Sequence, residues 1–507
     1  MRGSQPRLFV FGIDGGDWHI IDAMIARGRL PNLARFRGEA AHAELACTQP
    51  AHTAPGWASM MTGRYPGGHG AFQFFHVQDP EYRARVTSSR DVGASTLFDW
   101  LARQGWRCGQ VNVPMSHPPR KQPGYQITWP LENTLRFCDP STLLGELAGA
   151  GCHFASDLAC MYRGELSYIG EALHNIAQRT ASIQYLLAKH PVDALAVVLT
   201  ETDRVCHHYW HFADPTHPAH EAGAPQAHRA AIETCYDAVD AAFGELLAAI
   251  PDDATVVVAS DHGSGPGYDD LSLNRVLAEA GWLTLRDRAA APGDAMASWF
   301  HDDRVEVDWA RTRAYSPVPG CFGINLNLEG RQRLGAVPAS AAPALAADIA
   351  AHCRSLISPR SGRPVFREVV RGDELYPGPF VRLAPDLMLI PEDETTILSA
   401  HITGDPWRPS AQTGLHRFHG LWMQRSPRTR AGALSSAIRI VDVAPTALAD
   451  VGALWPDDIA GTARRDALTR GDGLGSAALQ DEPETADGHD APEDPVVSHR
   501  LRAMGYL

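Results

Sequence analysis

The sequence predicts a doubly wound α/β protein: a mostly parallel sheet with helices on both faces and an inserted cap subdomain. Three observations carry this. Short apolar, β-branched runs recur along the chain, as buried parallel strands do. Helical patterns alternate with them, the order that a doubly wound sheet produces. At 507 residues the chain is too long for one small core, so a large core with an insertion is expected.

Leu8–Ile13 reads as the first strand, with helices Trp18–Arg27 and Pro31–Arg37 after it. Helix Thr96–Gln104 precedes strand Gly109–Val113, and residues from about 140 to 190 are mostly helical. Ala194–Leu199 and Thr255–Ala259 are the next strands. Between them His228–Ile250 is the clearest helix, with Ile232, Val239, Phe243, Leu246 and Leu247 on one stripe and Pro251 closing it. Leu387–Ile390 is a further strand. Pro, Gly and Arg punctuate 276–379, and strand signals there are weak. From 466 onward Asp, Glu, Gly, Ala and Pro dominate. The expected organisation is a discontinuous core of residues 1–275 and 380–465, a cap at 276–379 and an acidic, disordered tail at 466–507.

The apolar fraction is 44% and the net charge −14. Such a balance argues against a nucleic-acid polymer as partner. It leaves anionic small substrates open, because a bound metal reverses the local sign. Nine cysteines at irregular spacing, with no Cys-x-x-Cys, speak against a disulfide framework or a thiolate zinc site. The opening residues lack an apolar signal region, and no apolar run spans a bilayer, so the cytoplasm is the expected compartment.

The chemistry-bearing residues cluster at predicted strand ends. Asp14 follows the first strand, Asp203 follows Ala194–Leu199, and Asp261 and His262 follow Thr255–Ala259. Open α/β sheets build their sites at that edge. A lone Asp there is usually a loop or capping carboxylate; three groups on one edge are harder to assign to chance. His207 lies four residues after Asp203, which puts both on one helical face. His208, His211, His217 and His220 read as a surface cluster. His416 and His419 compete for one further ligand position. Thr53, before an apparent helix Trp57–Thr62, is either a helix cap or a nucleophile whose substrate phosphate meets free N–H groups at the helix start. A dinucleotide loop is a poor alternative, because Asp14 stands where Gly-x-Gly-x-x-Gly needs glycine.

The joint pattern resembles the alkaline phosphatase superfamily. More narrowly it resembles the type I phosphodiesterase/nucleotide pyrophosphatase branch, including the bacterial predicted phosphohydrolase/phosphomutases. The resemblance runs through Phe11-Gly12-Ile13-Asp14-Gly15-Gly16, Leu30-Pro31-Asn32-Leu33 and Thr53-Ala54-Pro55-Gly56-Trp57-Ala58-Ser59. It continues in Glu201-Thr202-Asp203-Arg204-Val205-Cys206-His207, Ser260-Asp261-His262-Gly263 and His416 with Gly420, and covers most of 7–462. It implies an alkaline-phosphatase-like fold and two divalent metal ions; the mixed Asp/His ligands favour zinc, with manganese next. One ion would sit on Asp14, Thr53, Asp261 and His262, the other on Asp203, His207 and His416. Thr53 would be the nucleophile, transiently phosphorylated, acting on a small phosphorylated substrate. Asn112, Gln73, Arg204 and Arg417 are weaker candidates for substrate contacts. Gln73 departs from the Asp or Asn that relatives carry nearby, which leaves monoester against diester preference open. Two alternatives stand beside a phosphoester hydrolase: a phosphomutase or phosphotransferase that passes the phosphoryl group to a hydroxyl, and a non-catalytic binding protein on this fold.

Overall fold

A computed structural model describes residues 5–83, 85–129, 137–154, 167–287, 305–469 and 473–480. These residues form two compact units. The first draws on the described residues within 1–65, 88–265 and 416–480, the second on those within 66–87 and 266–415.

The first unit is built on one large mixed sheet. Its strands run in the order Gly432–Ala433, Ala41–Ala46, His419–Arg425, Thr255–Ala259, Leu8–Ile13, Ala194–Leu199, Cys108–Val113, Gly124–Thr128 and Cys138–Asp139. From Thr255–Ala259 to Gly124–Thr128 all neighbours are parallel. His419–Arg425 is antiparallel to both of its neighbours. Residue alternation sends successive side chains to opposite faces. Phe9, Phe11, Leu195 and Val197 join one core with Ile176, Ile183, Val205, Val239 and Phe243 from helices Tyr168–Lys189, Glu201–Ala213 and Ala231–Leu247. Leu8, Val10, Ala196 and Val198 join the other with Trp57, Met60, Trp100 and Leu448 from helices Thr53–Thr62, Leu97–Arg103 and Val443–Val451. Helices on both faces explain why Leu8–Ile13 and Ala194–Leu199 are apolar along their whole length. Each large apolar side chain so buried contributes roughly 1.5–3 kcal/mol relative to exposure.

Local chemistry sets several boundaries. Thr96 and Asp99 form a capping box at the start of Leu97–Arg103. The expected His228–Ile250 helix is interrupted at Ala230, giving Gln226–Arg229 and Ala231–Leu247. Helices Leu143–Gly149 and Tyr168–Lys189 fall within the expected helical stretch, whose residues 155–166 lie outside the described ones.

The second unit holds a four-stranded sheet in the order Ala314–Tyr315, Gly323–Leu326, Leu387–Pro391 and Phe366–Arg371, and a three-stranded one of Thr396–Ser399, Asp269–Ser272 and Trp407–Pro409. Leu387–Pro391 is therefore a strand as expected, but it pairs antiparallel with Gly323–Leu326 and Phe366–Arg371. It is no part of the central sheet. The unit also takes in 66–87 and extends from 266 to 415, wider than the expected 276–379. At the other end, Ala477–Leu479 pairs with Trp455–Pro456, so the expected tail begins with ordered chain. Residues 481–507 lie outside the described ones. No helix among the described residues is long and apolar enough to cross a membrane.

Candidate metal centre

The first unit gathers seven of the expected site residues. Asp14 leaves Leu8–Ile13, Asp261 and His262 leave Thr255–Ala259, and Asp203 and His207 share the helix that follows Ala194–Leu199. These three strands are neighbours, so their ends bring the groups together. His416 Nε2 lies 3.2 Å from His207 Nε2 and 3.3 Å from Asp203 Oδ1. His207 Nε2 is 3.2 Å from the same oxygen. His262 Nε2 lies 3.3 Å from Asp261 Oδ2 and 3.6 Å from Asp14 Oδ1. His262 and His416 stack at 3.7 Å. By contrast His419 is exposed.

Two triplets, Asp203–His207–His416 and Asp14–Asp203–His262, each bring their ligand atoms within 4.8 Å of one another. Asp203 thus belongs to both, where the sequence pattern assigns it to one. The reason lies one residue earlier: Thr202 Oγ1 donates to the Asp14 carbonyl, which draws the start of the helix onto the first strand's loop.

The electrostatics call for a cation. Asp14 Oδ1, Asp203 Oδ2 and Asp261 Oδ2 are buried, with no hydrogen-bond partner among the described residues. The nearest cationic group to Asp203 Oδ2 is Arg204 Nη1 at 3.4 Å. Burial, then repulsion from Asp261 and Asp203, pushes the Asp14 carboxyl well above its ordinary range. Burial and Asp203 do the same to Asp261. Burial also pushes Asp203 upward, but His207 and His416 more than offset it and hold its carboxyl well below the ordinary value. Burial lowers His262 and His416, so both favour the neutral imidazole that a metal needs. The tautomers suit as well. His416 Nδ1 donates to the Ala51 carbonyl at 2.9 Å and His262 Nδ1 to the Gly263 carbonyl at 2.9 Å, which turns each Nε2 lone pair inward. Three carboxylates and three imidazoles form a donor set that fits divalent metal.

Thr53 is fully buried, and its Oγ1 lies 3.3 Å from His262 Nε2. It is not the helix cap. That place belongs to His52, whose Nδ1 accepts from the Ala54 N–H at 3.2 Å. With Ala54 so engaged and Pro55 lacking an N–H, two of the first three helical residues have no N–H to offer a ligand. The free helix terminus expected from the sequence is therefore largely closed. Sequence reasoning also passes over the role of Trp57, whose Nε1 donates to Asp14 Oδ2 at 3.3 Å. Trp57 fits because Gly12 has no Cβ, which would lie 2.3 Å from the indole.

The weaker candidates divide. Arg204 is buried beside Asp203, its guanidinium 5.9 Å from the Trp129 ring. Arg417 follows His416 and bonds back to its carbonyl. One end of the Asn112 amide serves the sheet, while its Oδ1 is buried with no hydrogen-bond partner among the described residues. At φ 60° it interrupts the ladder, and its Nδ2 supplies the donor to the Val198 carbonyl at 3.0 Å. Gln73 belongs to the second unit, where its Nε2 donates to the Pro319 carbonyl and its Oε1 accepts from the Phe75 N–H. Both ends of that amide serve the backbone. The histidines read as a surface cluster are less exposed than expected: His217 is buried, and burial pulls His208 down to about 4.

Gly420 explains the His-x-x-x-Gly spacing. A Cβ there would stand 2.3 Å from Ser260 Oγ and 3.1 Å from the His262 carbonyl. Gly420→Ala is expected to destabilise the fold by about 1–3 kcal/mol. Thermal unfolding checks this, and an unchanged Tm would show that Ser260 yields freely.

Residues 8–422 match the family model described as type I phosphodiesterase / nucleotide pyrophosphatase. No curated protein matches the chain. Among solved structures, phosphonoacetate hydrolase from Sinorhizobium meliloti 1021, in complex with phosphonoformate, aligns over 88% of this chain and 96% of its own, at 17% identity and a TM-score of 0.52. Murine ectonucleotide pyrophosphatase / phosphodiesterase 5 aligns over 86% and 92%, at 13% identity and a TM-score of 0.50. At these identities the likeness is one of fold.

Proposed function

The chain belongs to the type I phosphodiesterase / nucleotide pyrophosphatase family, a family of metal-dependent phosphoester hydrolases, and from that membership we propose a two-metal enzyme in which Thr53 is the nucleophile. Phosphodiesters or pyrophosphates are its favoured substrates. The observation that carries this reading is the Thr53 hydroxyl, buried 3.3 Å from His262 Nε2 beside carboxylate oxygens with no hydrogen-bond partner among the described residues.

Asp14, Asp261 and His262 with Thr53, and Asp203, His207 and His416, are the residues that would hold the metals. Divalent cations there, zinc in preference to manganese for a mixed Asp/His donor set, would supply Lewis-acid stabilisation of the charge that develops during transfer. Thr53 Oγ1 loses its proton to solvent and attacks phosphorus; the Oγ1–P bond forms, the bond to the leaving oxygen breaks, and that oxygen takes up a proton and departs as the alcohol. Water then attacks the phosphorus, its oxygen stays on the departing phosphomonoester, the Oγ1–P bond breaks and Thr53 Oγ1 regains a proton. The Thr53 N–H, at the first turn of its helix, donates to a phosphoryl oxygen. Trp57 fixes Asp14, while Ala51 and Gly263 fix the two histidine rings.

Hydrolysis of bis(p-nitrophenyl) phosphate against p-nitrophenyl phosphate, on protein loaded with zinc or manganese, tests the reading. Faster diester cleavage is the expected result. Faster monoester cleavage would move the protein toward phosphatases or mutases, and no turnover of either would leave a mutase, a narrow specificity or a dead site, which phosphothreonine trapping separates. His416→Ala is expected to lower bound metal per chain, whereas His419→Ala leaves it unchanged; elemental analysis measures both, and the opposite ranking would exchange their roles.

A further inference from the structure

We propose that the buried Arg179–Glu201 pair, with Thr202, is a positioning brace that sets the start of helix Glu201–Ala213 and so the direction in which Asp203 and His207 point. The proposal rests on the metal-centre reading above. Arg179 projects from helix Tyr168–Lys189, and its Nη1 contacts Oε1 of Glu201, the first residue of the ligand-bearing helix. Their side chains are 1% and 2% exposed. The guanidinium stands 5.5 Å from the Phe154 ring, and the two helices share an apolar core that includes Ile176, Ile183, Val205 and Cys235. Glu201 Oε2 is buried, with no hydrogen-bond partner among the described residues.

As a source of stability this is a poor arrangement. Desolvating two charges costs about as much as their attraction returns, and a well-packed apolar pair of similar volume is often the more stable choice. The pair makes sense as a directional constraint. The helix does not start from an extended capping residue, since Thr200 has φ −101° and ψ −3°. Instead two tethers act on successive residues. Glu201 is held by Arg179, and Thr202 Oγ1 by the Asp14 carbonyl. Side chains one residue apart on a helix diverge by about 100°. Two such tethers fix rotation about the helix axis, and Asp203 comes next. Arg179 and Glu201 are thus positioning residues that act through Asp203 and His207.

The test is the double variant Arg179→Met/Glu201→Leu in the full chain. Thermal unfolding of the metal-free protein and calorimetric titration with zinc alone are read side by side. The expected result is opposite movement: Tm unchanged or higher, and zinc affinity about 10–100-fold weaker. A purely structural pair would not separate the two. Zinc affinity within about threefold of wild type, with the fold intact, overturns the brace. Should the double variant fail to fold, Arg179→Lys carries the test, since it keeps the charge and loses the planar guanidinium. Weakened zinc binding then supports the brace, and unchanged affinity overturns it. Wild-type protein that takes up no zinc would end the metal-centre reading itself, whereas wild-type uptake with unchanged affinity in the variant ends only the brace.

Discussion

Thr53→Ala is expected to lose at least roughly 10³-fold in kcat and to form no phosphoryl-enzyme, while still binding metal. The Oγ1 beside His262 Nε2 is the group removed. The helix start survives because His52, not Thr53, caps it. The cost to stability should therefore stay near ~1 kcal/mol. Thr53→Ser keeps a hydroxyl at the same place and should retain phosphoryl transfer. Acid-quenched protein, analysed by mass spectrometry after reaction with a diester, reads the adduct directly. Wild-type turnover in Thr53→Ala would remove Thr53 from the chemistry.

Asp203→Asn is the second large effect, because Asp203 belongs to both ligand triplets. A metal that binds only the folded state stabilises it by about 3 kcal/mol at a hundredfold excess over its Kd. Wild-type protein should show that gain as a rise in Tm on adding zinc. Asp203→Asn should lose most of it. The metal-free variant has its own sign. In the wild type the Asp203 charge helps to push Asp14 and Asp261 above their ordinary range. Removing that charge lets both carboxyls ionise more readily, although the pairing of Asp203 with His207 and His416 is lost. The same zinc-induced shift in wild type and variant would exclude Asp203 as a shared ligand.

Much of the first unit is readable because its strands carry a local signal. Leu8–Ile13, Ala194–Leu199 and Thr255–Ala259 are apolar throughout and flanked by turn chemistry, and the structure gives those bounds. Ala41–Ala46 and His419–Arg425 escape a sequence reading. Both mix polar and apolar residues, and their strand character comes from pairing with each other, which no window of sequence contains. Leu387–Pro391 shows the converse. Its local pattern predicts a strand, but a parallel and an antiparallel partner leave the same apolar run, so the pattern alone places it in the wrong sheet.

The fold class and the residue types of the candidate site are legible in the sequence, because they depend on local patterning and on motif spacing. The i,i+4 relation of Asp203 and His207 is a property of any helix and was available without coordinates. Both His416 and His419 lie on extended chain, and long-range packing brings the His416 imidazole to Asp203 while His419 is exposed. It also sets Thr53 beside His262 with His52 at the cap, turns both ends of the Gln73 amide to the backbone, and leads Asn112 Nδ2 to the Val198 carbonyl. Packing also places Asp203 in both candidate triplets. Each of these depends on where distant segments come to rest after the core has closed, and that is set by packing and hydrogen bonding across the sheet rather than by any stretch of neighbouring residues.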